Sequence, residues 1–337
     1  IQSRSWPAKS ANLEYAAVWG AMGPVADDVP RTCDDIDVAC VSTLLEPEGR
    51  VTGNPIRLAD NGAVAHIGCL VLGMGFVLLP IEATSLIEED LGNAQVIFRY
   101  LNGEDLNSRP DSSASRWIID FGSKTQAEAS RFERPFELVK DRVRPERATN
   151  SRATYRDRWW QFGERQLSMR KAISGLDEVL VIAVVSNAIM PVRVPTGQVF
   201  SHRLCVFATG SFADQAVLSS SIHQLWATKY SSTLETRLNY SPSDVFATIP
   251  LPQPTPDLDR VGRVLDEERR EIMLRRDLGL TKLYNLVNDP GLPDAVDPDV
   301  ARMRAIHREL DEVVVEAYGW GDVPLDHGFH TYRQMTR

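Results

Sequence analysis

Glu235, Arg237 and Asn239 occupy alternate positions in SSTLETRLNYSPSDVF, residues 231–246. They bring together a carboxylate that only accepts hydrogen bonds, a guanidinium that only donates them, and an amide that does both. Interleaved with Thr236 and Leu238, they follow the two-residue period of a strand. That period predicts one face carrying the three polar groups and an opposite face carrying Leu238. A row of this kind either pairs with itself, as a Glu–Arg ion pair on a solvated face worth little, or reads the donor and acceptor pattern of a partner.

A second concentration of chemistry is basic. Between Lys140 and Lys171 ten basic residues face four acids, so this stretch is a positive island in a chain whose net charge is −9. The net charge alone argues against a nucleic-acid partner. The acids, however, gather elsewhere, in DDVPRTCDDIDVAC and DLDRVGRVLDEERREI, and a bipolar map is compatible with one face meeting phosphate. Within the island, RDRWW (156–160) sets guanidinium groups beside two indoles, flanked by Tyr155 and Phe162. Arginines fix phosphates and aromatic rings stack on bases. The plainer reading buries the tryptophans and pairs the arginines with local acids. We read Trp159 and Trp160 as core anchors, and Arg144, Arg147, Arg152, Arg156 and Arg158 as candidates for phosphate.

Other chemistry is excluded or weak. LGMGF (72–76) resembles a glycine-rich cofactor loop, but such a loop needs a helix N-terminus after it, and here another strand, FVLLP, is expected. Close packing or a bulge at glycine is the preferred reading. No GxxxxGK[ST], HExxH or GxSxG motif occurs. His223 and His307 fall inside amphipathic helical patterns and read as hydrogen-bonded structural residues. His327 and His330 beside Asp322 and Asp326 are a faint metal hint. Cys33, Cys40, Cys69 and Cys205 form no CxxC pair and read as buried free thiols of a reducing compartment. The longest apolar run, IGCLVLGMGFVLLP, is too short and glycine-rich to span a bilayer, and no charged-then-apolar leader opens the chain. A cytoplasmic protein is expected. The first residue, Ile1, suggests a piece of a longer protein.

The elements that must position these groups are mixed. Strands and loops are expected over residues 1–60 and two strands around the glycines of AVAHIGCLVLGMGFVLLP, followed by a helix at IEATSLIEEDL and a strand at RWIIDFG. TQAEASRFERPFELVKDRV predicts a helix interrupted or bounded at Pro135. LDEVLVIAVVSNAIMPVRVPTGQVFSHRLCVFAT predicts the strands of a twisted sheet. QAVLSSSIHQLWATKYSS predicts one helix, with Val217, Ser221, Leu225 and Thr228 near one stripe. After the proline-rich IPLPQPTP the pattern turns helical. LDRVGRVLDEERREIMLRRDLGL has Gly279 as its expected stop, and a last helix starts at Asp297-Pro298 with Met303, Ile306, Leu310 and Val313/Val314 on one face. The fold class is α+β: a β-rich middle with packed helices, then a helical C-terminal segment.

Three stretches carry a family resemblance: LNGEDLNSRP with RWIIDFG, VKDRVRPERATN with RDRWWQFGE, and SSIHQLWATKYSSTLETRLNYSPSDVFATIPLP. With GLTKLYNLVNDP and IHRELDEVVVEAYGW downstream, they resemble the C-terminal half of the MmeI-like (type IIL) restriction-modification proteins and related adenine-specific DNA methyltransferases. The resemblance covers nearly the whole chain. It implies that residues 1–60 end a methyltransferase domain, 61–255 form a DNA target recognition domain, and 256–337 form a helical C-terminal segment. That family methylates adenine N6 with S-adenosylmethionine, and many members cleave DNA, with those activities upstream in a nuclease module and an NPPY-bearing core. Here Asn54-Pro55-Ile56 runs into Arg57 and lacks the aromatic that stacks on a flipped adenine. The resemblance therefore implies a module that binds double-stranded DNA and selects the site for upstream domains, holding no cofactor of its own. It also implies that Glu235 and Arg237 act together on one C·G pair, the acid accepting from cytosine N4–H and the arginine donating to guanine O6 and N7. Asn239 would address an adjacent base, with adenine its natural partner, and Arg203 matches a second reading position. The competing expectation is a protein–protein scaffold whose C-terminal helices dock a partner.

Overall fold

The computed structural model describes residues 55–186, 189–234 and 237–329, with short pieces among residues 4–38 and at 331–332 and 335–336. Much of the N-terminal stretch expected to form strands therefore lies outside the described residues, as does Cys40. The pieces that are described pair two by two: β1 (Arg4–Ser5) with β2 (Glu14–Tyr15), and β3 (Arg31–Cys33) with β4 (Ile36–Val38).

The body follows in chain order. It runs β5 (Ala65–Ile67), β6 (Val77–Leu78), α1 (Pro80–Glu89), β7 (Ile97–Leu101), α2 (Gly103–Ser108), β8 (Arg116–Ile119), α3 (Gln126–Ala129), α4 (Glu133–Ala148), α5 (Ala153–Asp157) and α6 (Leu167–Ile173). Next come β9 (Glu178–Ala183), β10 (Val185–Ser186), β11 (Val192–Pro195), β12 (Gln198–Phe200), β13 (Leu204–Phe207), α7 (Phe212–Ser219) and α8 (Ser221–Tyr230). The strands β14 (Ser232–Leu234) and β15 (Arg237–Asn239) precede the helices α9 (Pro256–Arg275), α10 (Leu280–Val287) and α11 (Pro298–Ala317). The β-rich middle and helical C-terminal segment are both present, and the class is α+β.

Three sheets carry the middle. One has the order β11–β9–β13–β5, antiparallel throughout; another has the order β12–β7–β8–β6, with β12 and β7 parallel. The third has the order β10–β15–β14. The first sheet divides two cores, and its sequence says so. In β9 the run from Val179 to Ala183 is buried without interruption, as is LCVF in β13, the pattern of a strand covered on both faces. Val179, Val181, Leu204 and Val206 point into the larger core, while Leu180, Ile182, Cys205 and Phe207 point into the smaller one. The smaller core is completed by Leu218, Ala227, Leu238, Tyr240, Val245 and Phe246, so it lies beneath β15. Burying each of these large side chains is worth about 1.5–3 kcal/mol.

The larger core continues without a break into α9, α10 and α11 through Leu258, Val261, Leu265, Leu283, Met303, Ile306, Leu310 and Val314. Met303, Ile306, Leu310 and Val314 are the face expected for α11, and Asp297 caps it ahead of Pro298 as expected, accepting from the backbone N–H of Asp299 and Val300. The glycine expected to stop α9 does something else. That helix ends at Arg275, Asp277 takes a left-handed φ of 51°, and Gly279 caps the start of α10, where the backbone of Ser108 leaves no room for a Cβ.

Another helical expectation is corrected. The helix at 212–230 is two helices, broken at Ser220 (φ −76°, ψ 156°), whose hydroxyl caps α8 by accepting from the His223 N–H. The break resets the helical phase, so Leu225, expected on the buried stripe, is 61% exposed, while His223, Ala227 and Thr228 are buried. The helix expected over TQAEASRFERPFELVKDRV is interrupted near Pro135, as read: α3 ends at Ala129, α4 starts at Glu133, and Pro135 sits in its first turn, where its missing N–H has no intrahelical partner to lose. Helix α4 runs through Pro145.

Candidate nucleic-acid interface

The segment expected to be one strand is a hairpin. β14 ends at Leu234, β15 begins at Arg237, and the two pair as Ser232↔Asn239, Thr233↔Leu238 and Leu234↔Arg237. Glu235 lies outside the described residues. On β15 Leu238 is buried in the smaller core, and Asn239 beside it is half-exposed. The alternation expected at these two positions is observed, on a shorter strand.

What holds this face in place is apolar and polar together. Tyr240, the next residue, is buried, and its hydroxyl meets His223 Nε2 at 3.0 Å, while His223 Nδ1 lies 2.7 Å from the Leu218 carbonyl oxygen. Burial pushes the His223 imidazole down to about 4 and raises the Tyr240 phenol well above its ordinary value. Both are therefore neutral partners in one fixed hydrogen bond near neutral pH. The structural reading of His223 holds, and His307, half-buried and 2.8 Å from the Tyr284 hydroxyl, shares it.

Arg203 lies in the turn between β12 and β13 and is exposed. Its carbonyl accepts from the Val184 N–H at 2.8 Å, and the Val184 carbonyl accepts from the Tyr240 N–H at 2.7 Å. Val184 is the joint at which one strand leaves the first sheet as β9 and enters the third as β10. Two strand spacings, roughly 10 Å, therefore separate the backbone at Arg203 from that at Tyr240. Residues more than thirty apart in sequence share one edge of the molecule.

The positive island divides. Arg147 is 2% exposed and is committed to backbone: its Nη2 donates to the carbonyls of Val71 (2.7 Å) and Leu72 (3.0 Å), and its Nη1 donates to those of Trp159 and Gln161. This corrects the expectation that Arg147 meets phosphate; a guanidinium enclosed by four carbonyls is a staple between α4 and two loops. Arg144, Arg152, Arg156 and Arg158 are exposed. Arg156 donates to the carbonyls of Asn150 and Ser151, and Arg152 to the Tyr155 hydroxyl at 2.9 Å. The Arg144 guanidinium stands 5.8 Å from the Trp159 ring. Among the described residues no carboxylate pairs with any of these four, although Arg142 and Arg170 in the same island are paired with Glu82 and Asp120. Trp159 and Trp160 are buried, as read from the sequence.

The remaining candidates resolve on geometry. Gly73 (φ 99°) lies against the Glu146 carboxylate and Gly75 against Val143, and β6 follows rather than a helix. The LGMGF turn is packed against α4 and does not fit a dinucleotide's phosphate or a methyl donor's carboxylate. Cys69 and Cys205 are buried free thiols, and Cys33 is buried. His327 Nε2 lies 3.9 Å from Asp311 Oδ2, His330 is outside the described residues, and no group of three metal-ligating side chains is assembled among the described residues. No helix there is long and apolar enough to cross a membrane. Sequence reasoning missed Ser232, whose hydroxyl accepts from Asn239 Nδ2 at 3.0 Å. Splitting the strand after Leu234 would have found it, since the two residues are then directly opposed.

Residues 66–253, more than half of the chain, match a family of target recognition domains, and the chain belongs to it. The family is described as "MmeI, target recognition domain". Seventeen chains of solved structures also match. One comes from the "Structure of Type IIL restriction-modification enzyme MmeI in complex with DNA", at a TM-score of 0.64 and 17% identity, covering 87% of this chain and 37% of that one. The fold is shared at that identity, and this chain spans little more than a third of the length of that relative. No curated protein matches.

Proposed function

We propose that this chain selects the double-stranded DNA site at which an upstream N6-adenine methyltransferase core, in some relatives joined to a nuclease, does its chemistry in the cytoplasm. Residues 61–255 carry the recognition, 1–60 connect to that core, and 256–337 brace the recognition part from behind. S-adenosylmethionine belongs to the core; this chain supplies neither its site nor a catalytic group. The reading rests on the β14–β15 hairpin, in which Leu238 is anchored in a core while Asn239, beside it, is half-exposed. Glu235 and Arg237 read one C·G pair by accepting from cytosine N4–H and donating to guanine O6 and N7. Arg203 serves a neighbouring pair across the same edge. Arg144, Arg152, Arg156 and Arg158 contact phosphate, which positions the protein without reading sequence.

The decisive experiment exchanges the charges of the pair. Glu235→Lys together with Arg237→Asp is expected to move the preference at one base pair from C·G to G·C, measured as affinity for duplexes carrying all four variants of that pair. An equal loss of affinity at every variant would overturn the base-reading role. Binding to duplex DNA that is absent even at low ionic strength would overturn the DNA partner itself and favour the scaffold.

A further inference from the structure

We propose that Ser232 sets the direction of the Asn239 amide and thereby makes adenine the base accepted at this position; the inference rests on the base-reading function above. Ser232 and Asn239 are directly opposite one another in the hairpin, and Asn239 Nδ2 donates to Ser232 Oγ at 3.0 Å. On the other side of β15 the residue opposite Asn239 is Val185. Directly opposed residues of an antiparallel pair share a face, with Cβ atoms about 4.5–5.5 Å apart. The amide is therefore flanked by a hydroxyl on one side and by a side chain with no hydrogen-bonding atom on the other. A hydroxyl can serve either end of an amide; in the structure it accepts from the nitrogen, so Oδ1 is turned away from Ser232.

The remaining valences decide the base. An amide nitrogen carries two N–H donors, and Ser232 takes one. Asn239, half-exposed, keeps one N–H and its Oδ1 in a fixed order along the face. Adenine offers the matching order in the major groove, an acceptor at N7 and a donor at N6, so both remaining amide groups are used. Guanine presents two acceptors, which leaves Oδ1 facing O6. Cytosine presents a single donor, and thymine an acceptor beside a methyl. Each leaves an amide group unmatched, and an unmatched polar group in a closed interface is costly. Ser232 makes no contact with the base in this scheme and is a positioning residue.

The test uses a randomised duplex library bound by the chain at fixed salt, with the bound fraction sequenced for wild type, Asn239→Ala, Ser232→Ala and Ser232→Thr. Wild type is expected to enrich adenine at one position, and Asn239→Ala to flatten that position alone. Ser232→Ala is expected to lower the adenine preference there roughly five-fold, the scale of one neutral hydrogen bond. Other positions should keep their preferences. Ser232→Thr, which keeps the hydroxyl and suits a strand, should restore it. An adenine preference unchanged in Ser232→Ala but lost in Asn239→Ala would overturn the role of Ser232 and leave base reading intact. Persistence of the preference in Asn239→Ala would overturn the assignment of this amide to adenine. Duplex binding by wild type without enrichment at any position would overturn both this inference and the base-reading function.

Discussion

The positive island and the hairpin are both dense in groups that hydrogen-bond, yet they are anchored in opposite ways. In the island the anchor is itself one of the charges: Arg147, drawn from the same run as its exposed neighbours, is buried under four backbone carbonyls while Arg144 and Arg158 remain at the surface. In the hairpin Ser232 and Asn239 oppose one another on one face, and the anchor is separate, made of Leu238, Tyr240 and the imidazole of His223. A helix and its following loop distribute arginines around a cylinder, so residue type alone does not say which is inside. A strand with one buried face sorts its residues by parity, and a one-residue slip would put Leu238 in water. One region is thus held by a permanent cation, the other by a neutral pair.

That difference has consequences of decreasing size. Arg147→Ala removes every donor that the carbonyls of Val71, Leu72, Trp159 and Gln161 share with it. A loss of about 3–4 kcal/mol in unfolding free energy is expected by chemical denaturation. If Arg147→Ala instead left stability unchanged and weakened DNA binding, the contrast within the island would collapse.

Acid should act on the hairpin before the island. Burial holds His223 and His307 neutral down to about pH 4, below the ordinary imidazole value of 6.5. The unfolded chain takes up its protons first, so their contribution is complete above about pH 6.5 and is lost as the pH falls toward 4. Urea midpoints are expected to fall across that window, and His223→Gln should reduce the fall while leaving the share of His307. Amide exchange should rise at Leu238 and Tyr240 while the Arg147-stapled loops stay protected, because guanidinium does not titrate there.

The smallest effect is on the exposed arginines. Arg156→Ala or Arg158→Ala should leave the unfolding free energy within about 0.5 kcal/mol of wild type. Each should weaken binding evenly across duplex sequences and reduce the salt slope by about one unit. A sequence-dependent loss would move these residues from the phosphate to the base-reading group.

Part of the fold was legible in the sequence. The alternation of Leu238 and Asn239 follows from period alone, and the apolar run of β9 reads as sheet. Other features were hidden because they depend on partners far away in the chain. Leu225 was misplaced because Ser220 caps a new helix and shifts the phase. Gly279 was misassigned because the demand for glycine there comes from the backbone of Ser108, a hundred and seventy residues earlier. Arg203 could be placed beside the hairpin only through Val184, a joint between two sheets that no local pattern marks.

By itself the amino-acid sequence determined which side chains share a face of a strand or helix, since that depends on backbone periodicity and on which residues avoid water. Tertiary structure decided which faces meet: that Arg147 is enclosed rather than offered, that Asn239 lies across from Ser232, and that Arg203 reaches the same edge. Those outcomes are settled by long-range backbone pairing and by the need of every buried donor and acceptor for a partner, and neither is written in the spacing of any single segment.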